Sequence, residues 1–166
     1  MIKIKENFVD PFLFVDIKKQ IMGKYFPWFY NDCKIEEGDE HFQFIHFFYK
    51  DNLVTSDYFK VIKPVIDKLN VKSLVRVKGN LTTKDIKIKP FGLHTDAPFK
   101  CKTAILYINT NNGITIFETG EEIKSEENKI VMFPSNLKHT GTTHTDEKVR
   151  VVLNINYFYY GKKTFR

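Results

Sequence analysis

His94-Thr95-Asp96, within the segment FGLHTDAPF, is a place where residue types and spacing could do chemistry. At the end of a strand, residues i and i+2 point to the same side, so an imidazole and a carboxylate can converge on one ion. With a second imidazole on that face, the set leaves three coordination positions open, an arrangement that suits a non-haem Fe(II) centre. Borderline imidazoles and one hard carboxylate fit that metal, and no thiolate is present to favour zinc or copper. An isolated His-x-Asp is a weak signal, so a third ligand must come from elsewhere.

Two histidines downstream, His139 and His144, lie in NLKHTGTTHTDEKVRVVLNINY. The extended runs around them imply a chain reversal between about 142 and 147. Arg150 sits eleven residues after His139 and six after His144. A reversal centred near 144–145 puts His139 and Arg150 at the same depth and leaves His144 at an exposed tip, which selects His139. Alternation then sets Arg150, Val152 and Asn154 on one strand face and Val151, Leu153 and Ile155 on the other. A lone Arg in such a segment is ordinarily a surface charge or an ion-pair partner, so its place on an otherwise apolar face matters. His41 and His46 are expected to be structural or surface groups, because residues five apart on a strand face opposite ways.

These residues need elements to hold them. Residues 11 to 23 place Phe12, Leu13, Val15, Ile17, Ile21 and Met22 in a mixed apolar pattern that predicts a helix. A second helix is predicted over 56 to 69, opened by Ser56 and Asp57, with Tyr58, Phe59, Ile62, Val65, Ile66 and Leu69 at helical spacing. His41 to Tyr49 is aromatic and extended in character. Past residue 70 the period becomes that of strands, over 72–80, 87–94, 102–109, 114–118, 121–124, 128–133, 137–141 and 148–158. Turn signals such as Asn112-Gly113, Gly120 and Pro134-Ser135-Asn136 separate them. Eight closely spaced strands behind a helical preface predict a mainly β fold with N-terminal helices, a sandwich or jelly roll.

Composition sets outer limits. At 166 residues one domain is expected, with enough chain for one sizeable core. The 15% aromatic share favours β-rich packing, where rings sit well on pleated faces. Net charge is +6, but the lysines are spread along the chain with no arginine-rich arm, which predicts a solvated basic surface over a nucleic-acid footprint. Cys33 and Cys101 stand far apart, so neither a disulfide framework nor a thiolate zinc site is expected. The N-terminus has no apolar stretch of signal-peptide length, and no run reaches the roughly 18 residues of a membrane span. A cytoplasmic protein without membrane contact is the expectation.

Order and spacing together carry more than the His-x-Asp alone. Residues 72 to 158 resemble the double-stranded β-helix oxygenases of the prolyl-hydroxylase-like group, in particular the small versions of marine phages and bacteria. HTDAPF, TAILYINTNNGITIF, NKIVMFPSNLKHTG and VRVVLNINY carry the likeness. In that family, the strand after the His-x-Asp ends in Tyr-x-Asn, followed by a Gly-containing turn and a strand ending in Phe. Here those are Tyr107-Ile108-Asn109, Asn112-Gly113 and Phe117.

The resemblance implies a cupin-like, double-stranded β-helix core of eight strands over 71–158, with residues 1–70 as a helical bracing region. It implies an enzyme that uses Fe(II), 2-oxoglutarate and O2, with ascorbate as a candidate reductant, to hydroxylate a peptide, an amino acid or a small molecule. His94, Asp96 and His139 would hold the metal and form the catalytic centre. Arg150 would take the far carboxylate of 2-oxoglutarate, since a planar two-pronged guanidinium suits a carboxylate better than an ammonium does. Tyr107 would add a hydrogen bond to that carboxylate, or serve as a core aromatic. Asn80, Asn109 and Asn154 would face the same cavity, with Asn80 the best placed to touch the co-substrate. Segments 81–92 and 97–101, with Lys84, Lys87, Lys89 and Pro90, would form a mobile rim over the entrance.

Two other readings stay open. An AlkB-like nucleic-acid demethylase shares the iron and co-substrate, and the basic charge suits it. A cupin-like module could instead hold a structural metal, or none, with no catalysis.

Overall fold

The computed structural model describes residues 1–34 and 41–159. Asp10 starts the first helix, α1 (Pro11–Ile21). Its carboxylate accepts the N–H groups of Phe12 and Leu13 at 3.0 and 3.2 Å, and Pro11 follows where a missing N–H costs nothing. Phe14, Ile17 and Ile21 form its buried stripe, and Phe12 and Val15 stay exposed. The second helix, α2 (Phe59–Lys68), buries Val61, Ile62, Val65 and Ile66.

Both stripes pack on one face of a large antiparallel sheet, against Val77, Leu106, Ile130, Val151, Leu153 and Ile155. That sheet contains β1 (Lys3–Lys5), β2 (Phe29–Asn31), β3 (Gln43–Lys50), β4 (Leu53–Val54), β5 (Val71–Thr83), β6 (Lys102–Tyr107), β9 (Ile130–Pro134) and β11 (Val149–Tyr159). Its order is β1-β9-β6-β11-β5-β3-β2, with β4 beside β3. A smaller sheet runs β10-β7-β8, from β7 (Asn111–Phe117), β8 (Glu122–Ser125) and β10 (His139–Gly141). A second core of Ile105, Tyr107, Phe117, Ile123, Val131, Phe133 and Val152 joins residues of both sheets. The fold is a jelly roll with helices on the outer face of its larger sheet. Among the described residues, no helix is long and apolar enough to cross a membrane.

The segment before residue 70 is less purely helical than its pattern predicts, since it contributes β1 to β4 to the large sheet. β1, β2 and β4 have only two or three residues each, too few for alternation to show, whereas β3 matches the extended run expected over His41 to Tyr49. The expected strand over 87–94 is also absent as a regular element. Its backbone still pairs with the β10 region: Phe91 N–H reaches Gly141 O at 3.1 Å, and His94 and His139 exchange both backbone bonds at 3.0 Å. Pro90 has no N–H to give, and Gly92 adopts φ +120°, which shifts the pairing by one residue. The segment thus occupies the open edge of the small sheet without ladder regularity.

The predicted reversal after His139 is corrected in a more consequential way. β10 and β11 belong to different sheets, so residues 142–148 cross between the two walls and do not form a hairpin. His144 is therefore not an exposed tip but fully buried, with neither ring nitrogen hydrogen-bonded among the described residues. Val151, Leu153 and Ile155 do face the helices, opposite Arg150, Val152 and Asn154.

Asn128 shows how the N-terminal segment is fixed to this frame. Its Oδ1 accepts from Val9 N–H at 3.0 Å and its Nδ2 donates to Val9 O at 2.9 Å, at a backbone φ of +60°. Asn tolerates that conformation better than other residues with a β-carbon. Asn128→Ala should cost about 3 kcal/mol, roughly 1 for each lost bond and the rest for backbone strain. Urea denaturation should show a lower midpoint with an unchanged m-value.

Candidate functional site

β5 and β11 lie side by side and present matched rows. Thr82 pairs with Arg150, Asn80 with Val152, Lys78 with Asn154 and Arg76 with Asn156. Thr82, Asn80, Lys78, Arg150, Val152 and Asn154 line one cavity, closed on the other side by His94, Asp96, Thr115, His139 and Gly141.

One part of this cavity gathers three ligand-type side chains. Single ligand atoms of His94, Asp96 and His139 lie within 4.8 Å of one another. The reciprocal backbone bonds between His94 and His139 set the two rings 4.7 Å apart, centroid to centroid. Each Nδ1 is near a backbone carbonyl, Gly92 O at 3.3 Å for His94 and Leu137 O at 3.2 Å for His139. Donation from Nδ1 leaves Nε2 as the free lone pair, the state a metal needs. Phe133 meets the His139 ring edge-on at 4.7 Å and restricts its orientation.

Asp96 is held from two sides. Asn154 Nδ2 donates to its oxygens at 3.1 and 3.2 Å, and Arg76 Nη2 to Oδ1 at 3.3 Å. Burial works against the carboxylate charge, but His139 and Arg76 outweigh it and hold the carboxyl below the usual range. Burial and the neighbouring His139 ring push His94 below the ordinary imidazole value. Ionised Asp96 and neutral His94 are the ligand-ready forms.

The deeper part holds Arg150. It is buried, with Nε donating to Ser125 Oγ at 3.0 Å and Nη2 to Thr115 Oγ1 at 3.4 Å. Among the described residues it has no carboxylate within ion-pair distance, an arrangement too costly to be merely structural. Gly113 and Gly141 leave the slot for its side chain: a β-carbon would stand 2.9 Å from Arg150 Cδ at Gly113 and 3.4 Å from Nη1 at Gly141. Between Arg150 and the ligand cluster, Asn80 Oδ1, Thr82 Oγ1 and Asn154 Oδ1 are buried without hydrogen-bond partners. Orphan polar atoms of this kind call for a polar occupant.

The sequence-derived candidates fall into three groups. His94, Asp96 and His139 come together, and Arg150, Asn80 and Asn154 line the same cavity. Tyr107 lies next to Val152 on the neighbouring strand as expected, yet its phenol donates to Thr115 Oγ1 at 2.8 Å and does not line the cavity. It touches Arg150 only through its ring face, 5.8 Å from the guanidinium carbon. Asn109 faces elsewhere, bonding Val149 O and Val151 N–H at the start of β11. His46 is structural, bridging Pro27 O and Ser56 Oγ at 2.7 Å each. Lys84, Lys87 and Lys89 do not line the cavity, and the 87–91 backbone is bonded to Thr140, Gly141 and Thr143.

Arg76, Lys78, Thr82, Thr115, Ser125 and Gly141 were not singled out from sequence, and Gly113 was read only as part of a turn. The signal for the first three is in RVKGNLT, where polar residues recur at every second position, unlike the apolar faces around them. Lys78 is notable because burial and the charge of Arg76 push its ammonium down to about 8.

No protein-family model matches this chain, and no curated protein matches its sequence. Solved structures do. An oxidoreductase of the 2OG-Fe(II) oxygenase family from Burkholderia pseudomallei aligns over 96% of this chain and 86% of its own, with a TM-score of 0.70 at 13% identity. A Pseudomonas putida prolyl-4-hydroxylase aligns over 96% and 92%, with a TM-score of 0.64 at 12% identity. A Trichoplax adhaerens prolyl hydroxylase, solved with a hypoxia inducible factor oxygen degradation domain peptide fragment, aligns over 95% and 83%, with a TM-score of 0.65 at 12% identity. At such identities the likeness establishes a shared fold.

Proposed function

We propose that this protein is an Fe(II)- and 2-oxoglutarate-dependent dioxygenase that hydroxylates a C–H bond of a peptidyl, amino-acid or small-molecule substrate. One observation carries the reading: His94, Asp96 and His139 open onto the same cavity as a buried Arg150 that has no anionic partner among the described residues. A metal-ligand set at one part and an unpaired guanidinium at the other match a co-substrate with a chelating 2-oxo acid and a distal carboxylate. A structural metal would need the first and not the second. The fold of the similar oxygenases supports the same reading, and the peptide held by the Trichoplax enzyme supports a peptidyl substrate over a nucleic acid.

His94, Asp96 and His139 hold Fe(II), with Asn154 and Arg76 fixing the carboxylate. Arg150 grips the distal carboxylate of 2-oxoglutarate, oriented by Ser125 and Thr115, and Tyr107 orients Thr115 from behind. Asn80 and Thr82 offer polar atoms along the co-substrate's length. When bound, iron and 2-oxoglutarate supply the oxidising power, with one atom of O2 ending in succinate and the other in the hydroxylated substrate. The two sheets and their aromatic core exclude water from around that chemistry. Two free cysteines fit a reducing cytoplasm.

Purified protein given Fe(II), labelled 2-oxoglutarate and air should release succinate even without its substrate. Asp96→Ala should release none at any iron concentration tested. Equal release from the two proteins would remove the reading.

A further inference from the structure

Lys78 is a cation in the cavity that the proposed reaction does not use. Lys78 lies on β5 between Arg76 and Asn80, directly opposite Asn154 on β11. Among the described residues its ammonium has no hydrogen-bond or ion-pair partner within 4.0 Å. The carboxylate whose charge reaches it, Asp96, is already held by Arg76 and Asn154. Burial beside another cation makes this charge costly unless an anion joins it.

Charge balance points the same way. Fe(II) and the two carboxylates of 2-oxoglutarate cancel. Lys34 aside, Arg76, Lys78 and Arg150 then stand against Asp96 alone among the described residues, and these groups together keep an excess of positive charge. Position separates the roles of the cations. Arg150 pairs with Thr82 in the deep part, whereas Lys78 sits across from the residue that grips the metal carboxylate. Its neighbours on β3 share its sheet face: Phe47 is paired with Lys78 and Ile45 with Asn80, both half-buried. An aliphatic stem can rest on those two side chains while its carboxylate meets the ammonium.

We infer that Lys78 selects a substrate bearing a carboxylate and holds that group beside the carbon presented to the iron. This rests on the oxygenase reading and names its substrate class: an acidic side chain within a peptide, or the α-carboxylate of a free amino acid.

Calorimetric titration of the protein loaded with Fe(II) and 2-oxoglutarate, without oxygen, tests it in two arms. One arm compares N-acetyl, N-methylamide-blocked Asp and Glu with blocked Asn and Gln. The other compares free L-alanine and L-proline with their amides. In at least one arm the acid should bind about tenfold tighter than its neutral partner. Lys78→Met should erase that preference by weakening the acid alone, and Lys78→Arg should keep it. Equal binding of acid and amide in both arms overturns the inference. So does a Lys78→Met protein that keeps the preference, or one that loses 2-oxoglutarate affinity in its place. Succinate release, measured separately, tests the oxygenase reading; release without any acid preference would leave that reading standing and remove only the role of Lys78.

Discussion

His139→Ala should strip the protein of Fe(II) and end succinate release, while His144→Ala should keep the iron and lose stability. The two histidines lie five residues apart and are both buried, so burial does not separate them. Geometry does. His139 is tied to His94 by two backbone bonds and stands 3.6 Å from Asp96 Oδ2 through its Nε2. Losing a ligand from a three-residue set should cost more than the roughly 10–100-fold in metal affinity that loss of an outer-shell partner costs. His144 lies in the crossover between sheets, and its removal leaves a cavity at a cost of about 1–3 kcal/mol, softened because two unpartnered ring nitrogens go with it.

A pH signature accompanies this contrast. Burial, with Arg150 adding to it, holds the His144 pKa below the ordinary imidazole value. Burial does the same at His46, against the opposing bond to Pro27. The unfolded chain therefore takes up protons first as pH falls through about 6.5, and stability should decline from there downward. His144→Ala should flatten part of that decline in urea midpoints measured between pH 7 and 5. Iron lost from His144→Ala and retained by His139→Ala would exchange their roles.

How the sequence led to His139 bears on what a linear pattern can carry. The choice rested on a hairpin between His139 and Arg150, and no such hairpin exists, because β10 and β11 belong to different sheets. The crossover nevertheless brings both residues to one cavity from opposite walls. Alternation within a strand was legible, and it placed Arg150, Val152 and Asn154 together correctly. Sheet membership was not legible, since it depends on pairings between residues far apart in the chain. The same limit hid Arg76 and Ser125, whose importance appears only when a partner from another strand arrives. Lys78 was hidden differently, as one lysine in a lysine-rich chain until its surroundings proved to be a cavity. Strand 87–94 failed for a local reason: alternation was present, but Pro90 and Gly92 spoil the ladder.

Arg150→Ala should weaken 2-oxoglutarate binding by about two to three orders of magnitude and leave Fe(II) affinity within a few-fold of wild type. Truncating one partner of a buried charge pair costs roughly 3–5 kcal/mol, and each 1.4 kcal/mol is tenfold in affinity. Iron is spared because Arg150 bonds to Ser125 and Thr115 and to none of His94, Asp96 and His139. Arg150→Lys should recover only part of the loss, since an ammonium cannot reproduce the two-pronged grip or both of those bonds. A gentler substitution probes the same feature from outside. Gly113→Ala puts a methyl 2.9 Å from Arg150 Cδ and from Asn111 Oδ1, so the guanidinium must move while its charge remains. Its co-substrate affinity should fall between wild type and Arg150→Ala, with iron binding unchanged. Titration of each protein with 2-oxoglutarate, in the presence of Fe(II) and absence of oxygen, gives the ranking. An Arg150→Ala protein with wild-type affinity would mean that the co-substrate carboxylate is held elsewhere, and the cavity would then have to be read from Lys78 outward.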